Sequence, residues 1–203
     1  EAGGDDYTLG QLAEDAKGLL DHLGVTRCHF VGLSMGGMIG QTMALAYPGL
    51  FSTLTVVDST SYRPPSERTL WQGRINAARA AGMPSVVDAT LSRWFTPAFK
   101  SRERATMTRV GAMIRATSIE GFVGCCRAIS VVNTTGRLPE IKIPVLVMVG
   151  AEVHGTPPSM SRVIHESIAG SEMVIIPEAS HICNIEQATF FNRTLGNFLV
   201  SRG

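Results

Sequence analysis

Residues 30–40 read Phe30-Val31-Gly32-Leu33-Ser34-Met35-Gly36-Gly37-Met38-Ile39-Gly40, and this stretch decides the fold. Gly32-Leu33-Ser34-Met35-Gly36 matches G-x-S-x-G, the strand-turn-helix signature that exposes a serine oxygen on a sharp, strained bend. Such a bend doubles the helix back against the strand, so the reading expects glycine on both sides, where a Cβ has no room. The helix that follows brings free N–H groups beside Ser34, where an oxyanion would develop. The bare pattern arises by chance in about one chain in fifteen of this length. Its flanks therefore carry the argument. The short run 28–31 before it ends apolar. The segment after it, 35–47, is rich in Met, Ile, Leu and Ala and stops at Pro48-Gly49.

Outward from this turn, strands and helices alternate. Thr8 and Gln11 form a capping box for a helix whose Leu9, Leu12, Ala13, Ala16, Leu19, Leu20 and Leu23 recur at helical spacing, with Gly24 as its stop. A buried strand is expected at 54–57, ending at Asp58. The continuous apolar run 144–149 is typical of a parallel strand covered on both faces, and 172–176 is the next strand. Helices are expected at 158–168 and 185–200. Between 62 and 133 strand patterns vanish and four helices are read, at 66–81, 84–93, 102–117 and 119–131. The expectation is a mostly parallel α/β sheet built from 1–61 and 134–203, with 62–133 inserted as a helical cap.

Composition narrows the function classes. The chain has 203 residues, 44% hydrophobic and 17% charged, with a net charge of +1. That balance gives no reason to expect a nucleic-acid or membrane partner. No run approaches the ~18 apolar residues of a spanning helix, and the polar start does not read as a secretory signal. Cys28, Cys125, Cys126 and Cys183 have neither metal-ligand nor disulfide-framework spacing. They read as reduced, buried thiols, with the cytoplasm as default location and no metal site.

In a parallel sheet, functional groups gather at the C-terminal strand ends. Ser34, Asp58, the loop 151–156 and His181 all lie there. A serine hydroxyl needs a base, and His181, on the loop after the last strand, is the best placed. His22, His29 and His165 fall within regular elements, and His154 lies on a loop. The order Ser, acid, His is the one expected when G-x-S-x-G opens an α/β sheet.

The chain resembles the α/β-hydrolase superfamily, and specifically 3-oxoadipate enol-lactonases and related esterases. The residues that carry the resemblance are GLSMGGMIG at 32–40, RWFTPAF at 93–99, EGFVGCCRAI at 120–129, Thr156-Pro157-Pro158, and SHICNIEQ at 180–187. It implies cofactor-free hydrolysis of a small-molecule ester or lactone through an acyl-serine. Ser34 would be the nucleophile, His181 the base, the Met35 N–H an oxyanion donor and Trp94 a wall of the substrate pocket, with Trp71 less supported.

Two departures follow from the same resemblance. Relatives carry Asp in G-x-x-D-x-x-T-P-P after the third strand, where this chain has Val153. Asp58, at the end of the strand beside the elbow strand, and Glu152, next to Val153, are the substitute acids; a site with no working acid is the third reading. Relatives also carry strands before the equivalent of Thr8. The expectation is an elbow strand left at the sheet edge, with the missing N-terminal segment of the same protein as partner and source of the second oxyanion donor. A general esterase or perhydrolase is the alternative function, and a catalytically impaired hydrolase-fold protein, motivated by Val153, is another. A haloalkane dehalogenase is disfavoured, because that chemistry places a carboxylate where Ser34 stands.

Overall fold

A computed structural model describes residues 6–202. Four parallel strands form one sheet in the order β1-β2-β3-β4: β1 (Cys28–Leu33), β2 (Phe51–Val57), β3 (Val145–Gly150) and β4 (Glu172–Ile176). All three pairings are parallel, so every connection must cross over, and each crossover carries helix. Helix α1 (Leu9–His22) precedes the sheet and α2 (Met35–Ala46) joins β1 to β2. Helices α3 (Arg68–Ala81), α4 (Val87–Trp94), α5 (Pro97–Arg102), α6 (Arg104–Ala116) and α7 (Ile119–Ser130) lie between β2 and β3. Helix α8 (Pro158–Ser167) joins β3 to β4, and α9 (Cys183–Glu186) and α10 (Ala188–Arg202) close the chain.

Alternating side chains of the strands feed two different cores. Leu54, Val56, Val145 and Val147 pack with Ile164 and Ile168 of the α8 side. Val57, Leu146 and Met148 face the other way, onto Phe191 and Phe198 of α10. Every residue of β3 is buried, which explains why its sequence is apolar without alternation. The helices between β2 and β3 have apolar clusters of their own, around Phe95, Phe99, Val110 and Ile114 and around Trp71, Ile75 and Val123. Among the described residues β1 pairs on one side only, with β2, and Val31 is 43% exposed.

The capping box at Thr8 forms in both directions, and Gly24 takes the left-handed conformation just past α1. The helix expected at 102–117 is present unbroken as α6, and an additional short helix, α5, precedes it, started by the Thr96 hydroxyl accepting from the Phe99 N–H. The helix expected at 185–200 breaks at Gln187, whose φ of −126° is outside the helical region. No Gly or Pro marks that break.

Candidate active site

Ser34 stands between β1 and α2 with φ 54° and ψ −115°, a conformation that L-residues avoid. What holds it there is local. The Ser34 N–H donates to the Val57 carbonyl at 2.8 Å, and the Ser59 hydroxyl donates to the Ser34 carbonyl at 2.7 Å. The glycines divide the work unequally. A Cβ on Gly32 would lie 2.2 Å from the Gly36 carbonyl oxygen, and one on Gly37 would lie 2.7 Å from the Ser59 Cβ. A Cβ on Gly36 would meet nothing within 4 Å. The expectation that both motif glycines are sterically required is thus corrected: the close approach uses the backbone of Gly36, and the other crowded positions of the stretch are Gly37 and Gly40. Met35 opens α2, so its N–H has no intrahelical acceptor.

His181 Nε2 lies 2.9 Å from Ser34 Oγ. The two residues are 147 apart in sequence, and the sheet brings them together by ending β1 and β4 on the same side. His181 is 9% exposed. Burial, then the positive charges of Arg63, Arg93 and Arg74, lower its basicity to about 4. The residues flanking it are tied to the helices between β2 and β3. The Ile182 N–H donates to the Trp94 carbonyl at 3.1 Å, and the Ser180 hydroxyl to the Arg93 carbonyl at 3.2 Å. The buried carboxylate of Glu186 accepts from the Ser180 N–H on one oxygen. On the other it accepts from the Thr96 N–H at 2.7 Å and the Thr96 hydroxyl at 2.8 Å.

Neither substitute acid reaches the imidazole. Asp58 is fully buried at φ 44°, and its Oδ1 accepts from the Gly150 N–H at 2.8 Å. Its Oδ2 faces Cys183 without a hydrogen bond of good geometry. Burial dominates and raises Asp58 to about 7 against the favourable Cys183 and Gly150 donors. It ties the end of β2 to the end of β3 instead of serving His181. Glu152 is exposed, outside the cavity, and Val153 is 3% exposed and presents no polar atom. The partner of His181 Nδ1 is Thr156 Oγ1 at 3.2 Å, and that hydroxyl donates to the Asp58 carbonyl at 3.0 Å. With its proton committed to Asp58, the Thr156 oxygen is left to accept, which selects the Nδ1–H tautomer and leaves the Nε2 lone pair for Ser34.

A cavity of about 600 Å³ opens above Ser34 and His181. Glu67, Leu70, Trp71 and Arg74 line it from the start of α3 at spacing i, i+3, i+4, i+7, while α4 contributes Thr90, Arg93 and Trp94. The ring centroid of Trp94 lies 6.4 Å from that of His181. Trp71 is an equal wall of the cavity. Cys125 and Cys126 also face it; all four cysteines are free thiols. The sequence reading quoted Thr156 and Arg93 only within stretches that carry the resemblance, and gave no role to them or to Arg63 and Arg74. The one available signal was the helical stripe of α3, which carries charge on a face that also holds Trp71. Among the described residues no cluster of His, Cys, Asp or Glu is arranged to hold a metal, and no helix is long and apolar enough to cross a membrane.

A family model of the alpha/beta hydrolase fold matches residues 1–188. The chain is 33% identical over 189 residues to 3-oxoadipate enol-lactonase 2 of Acinetobacter baylyi, covering 93% of this chain and 70% of that protein. Among solved structures, an enol-lactonase from Burkholderia xenovorans LB400 superposes with TM-score 0.92 at 34% identity, over 97% of this chain and 74% of that one. A hydrolase from Pseudomonas aeruginosa PA01 gives 0.91 at 35% identity, over 97% and 73%.

Proposed function

The chain belongs to the α/β-hydrolase family, and we propose that it cleaves a carboxylic ester or lactone through an acyl-serine formed on Ser34. The single observation that carries this reading is the 2.9 Å contact between His181 Nε2 and the hydroxyl of a serine held at φ 54° on a helix N-terminus. A strained serine with a base in reach and free N–H groups beside it is the arrangement acyl transfer needs. Ser34 Oγ attacks the carbonyl carbon while its proton passes to Nε2. The Met35 N–H stabilises the oxyanion. The carbonyl–oxygen bond of the leaving group then breaks, and His181 returns the proton to that oxygen. Water repeats the sequence to release the acid.

Thr156 serves as the positioning residue for His181, in the role usually given to a carboxylate. The helices α3–α7 act as the cap, and Trp71 and Trp94 form the pocket walls. Similarity to enol-lactonases favours a lactone or small ester over a long acyl chain, and a cavity of about 600 Å³ suits a small molecule.

The test is covalent labelling by a fluorophosphonate together with turnover of 4-nitrophenyl acetate. Labelling should map to Ser34, and Ser34→Ala should lose both signals. An unlabelled wild-type protein without turnover would instead support a hydrolase fold whose site is silent, the reading that Val153 motivates.

A further inference from the structure

Gln41 is a polar side chain where helix α2 otherwise buries apolar residues and glycine. It lies beyond Ser34 on that helix, among Gly37, Met38, Gly40 and Met43, and it is fully buried. A buried amide costs free energy unless its hydrogen-bonding groups are engaged, and those of Gln41 are. Its Nε2 donates to the Gly37 carbonyl at 3.1 Å and to the Thr60 carbonyl at 3.3 Å, and its Oε1 accepts from the Thr134 hydroxyl at 2.8 Å. Both Nε2 partners can only accept, which fixes the orientation of the amide. Thr134 has one hydroxyl proton, and Gln41 Oε1 is nearer to it than the Ser61 carbonyl, at 3.3 Å.

The partners of Gln41 belong to the stem of the cap. The chain leaves the sheet for α3–α7 through residues 61–63 and returns through 132–134. The two passes are bonded into a short antiparallel neck: Tyr62 bridges Asn133, the Arg63 N–H donates to the Val132 carbonyl at 3.1 Å, and the Thr134 N–H donates to the Ser61 carbonyl at 2.8 Å. The hydroxyls of Ser61 and Thr135 meet at 2.6 Å. Gln41 therefore holds both arms, the outgoing one at Thr60 and the returning one at Thr134, against the helix that begins at the nucleophile. The returning arm follows directly from α7, whose Phe122, Cys125, Cys126 and Ile129 line the cavity at spacing i, i+3, i+4, i+7. The opposite side of the cap is held by other bonds, from Trp94 and Thr96 to the histidine loop and Glu186. The α7 wall thus takes its place over Ser34 from the neck.

We propose that Gln41 is a positioning residue for substrate selection: by fixing the neck to α2 it sets the distance between the α7 wall and Ser34, and so decides which acyl groups the cavity holds productively. The inference rests on the acyl-serine reading. Gln41 touches no substrate and moves no proton; it acts through Thr134 and α7. An acyl group too short to reach α7 does not sense it, whereas a longer one packs against a wall whose position depends on it.

The experiment compares kcat and KM of the wild type, Gln41→Met, Thr134→Val, the double variant and Thr134→Ser on 4-nitrophenyl acetate and 4-nitrophenyl butyrate, with melting temperatures beside them. Gln41→Met and Thr134→Val should each raise KM for the butyrate by up to about tenfold, the worth of one hydrogen bond. Neither should change kcat on the acetate or the rate at which a fluorophosphonate labels Ser34. The double variant should go no further than Gln41→Met, because both substitutions cut the same bond. Thr134→Ser keeps the hydroxyl and should match the wild type. Should Gln41→Met fail to fold, Thr134→Val carries the test, since it keeps the shape of the side chain and the backbone bonds of the neck. A lower melting temperature with the acetate-to-butyrate preference unchanged marks a structural tie only and overturns the inference. Equal losses on both esters, effects that multiply in the double variant, or a Thr134→Ser enzyme as impaired as the valine variant overturn it as well. Labelling separates the two failures: a labelled Ser34 with unchanged preference sinks only the role of Gln41, and an unlabelled Ser34 in the wild type sinks the acyl-serine reading.

Discussion

Thr156→Val removes one hydroxyl and keeps the shape of the side chain, so it isolates what the Thr156 oxygen does for His181. In the wild type that oxygen lies 3.2 Å from Nδ1, and its own O–H donates a hydrogen bond to the Asp58 carbonyl at 3.0 Å. In the variant the Nδ1–H tautomer leaves a donor unpaired in a site where His181 is 9% exposed. An unsatisfied buried donor costs about 1–3 kcal/mol, which tips the imidazole toward the other tautomer, whose Nε2 carries a proton and cannot accept one from Ser34. At about 1.4 kcal/mol per decade, kcat should fall by roughly 5- to 150-fold. That is well short of the ~10⁴ lost when a triad carboxylate is removed, because a neutral hydroxyl orients the ring without balancing its charge. The assay is steady-state hydrolysis of 4-nitrophenyl acetate, with thermal denaturation run beside it, since the Asp58 carbonyl also loses a donor. Thr156→Ser should retain most of the rate. A Thr156→Val enzyme at wild-type rate, or a Thr156→Ser enzyme as impaired as the valine variant, would refute the reasoning.

Val153→Asp should raise kcat by more than tenfold if it supplies the carboxylate that the family pattern implies, while burial of the new charge lowers the melting temperature; kinetics and melting on one preparation check both. Gly32→Ala should abolish folding or strongly destabilise the protein, because its Cβ would sit 2.2 Å from the Gly36 carbonyl oxygen. Gly36→Ala should fold and gain up to about 1 kcal/mol of helix propensity, and equal losses in the two variants would show that the elbow is crowded differently. Asp58 is raised to about 7 from an unfolded value near 3.8, so the native state holds its proton more tightly. Its penalty is absent below pH 4 and grows to the order of 4 kcal/mol as pH rises through 7. Asp58→Asn should remove that fall in stability, which denaturant titrations at pH 5 and 8 will measure.

What the chain disclosed in advance was what its local patterns encode. Apolar runs located all four strands. The strand, glycine and serine pattern around Ser34 located the elbow, and loop position with chain order picked out His181 among five histidines. The partner of Nδ1 was not legible, because which loop side chain meets an imidazole depends on the path of residues 150–156, and a threonine there has no distinctive chemistry. Asp58 looked available as an acid because strand-end placement does not say which way a carboxylate turns; the nearby Gly150 N–H claims it. The arginines were hidden for a different reason. On helices such as α3 and α4 an arginine ordinarily reads as a solvated charge, and only the packing of those helices over the sheet turns it inward.

Glu186 changes how defects in this protein should be traced to their origin. Its carboxylate joins the backbone beside His181 to the first turn of α5, about ninety residues earlier in the chain. A substitution at Thr96, outside the cavity, will therefore register as an injury to the base. In a survey of variants scored by activity, Thr96 and Glu186 would rank near Ser34 although neither touches the cavity. For the same reason the covering helices cannot be exchanged freely to alter specificity: a grafted replacement must reproduce the Thr96 donors, or the reshaped pocket arrives with its histidine adrift.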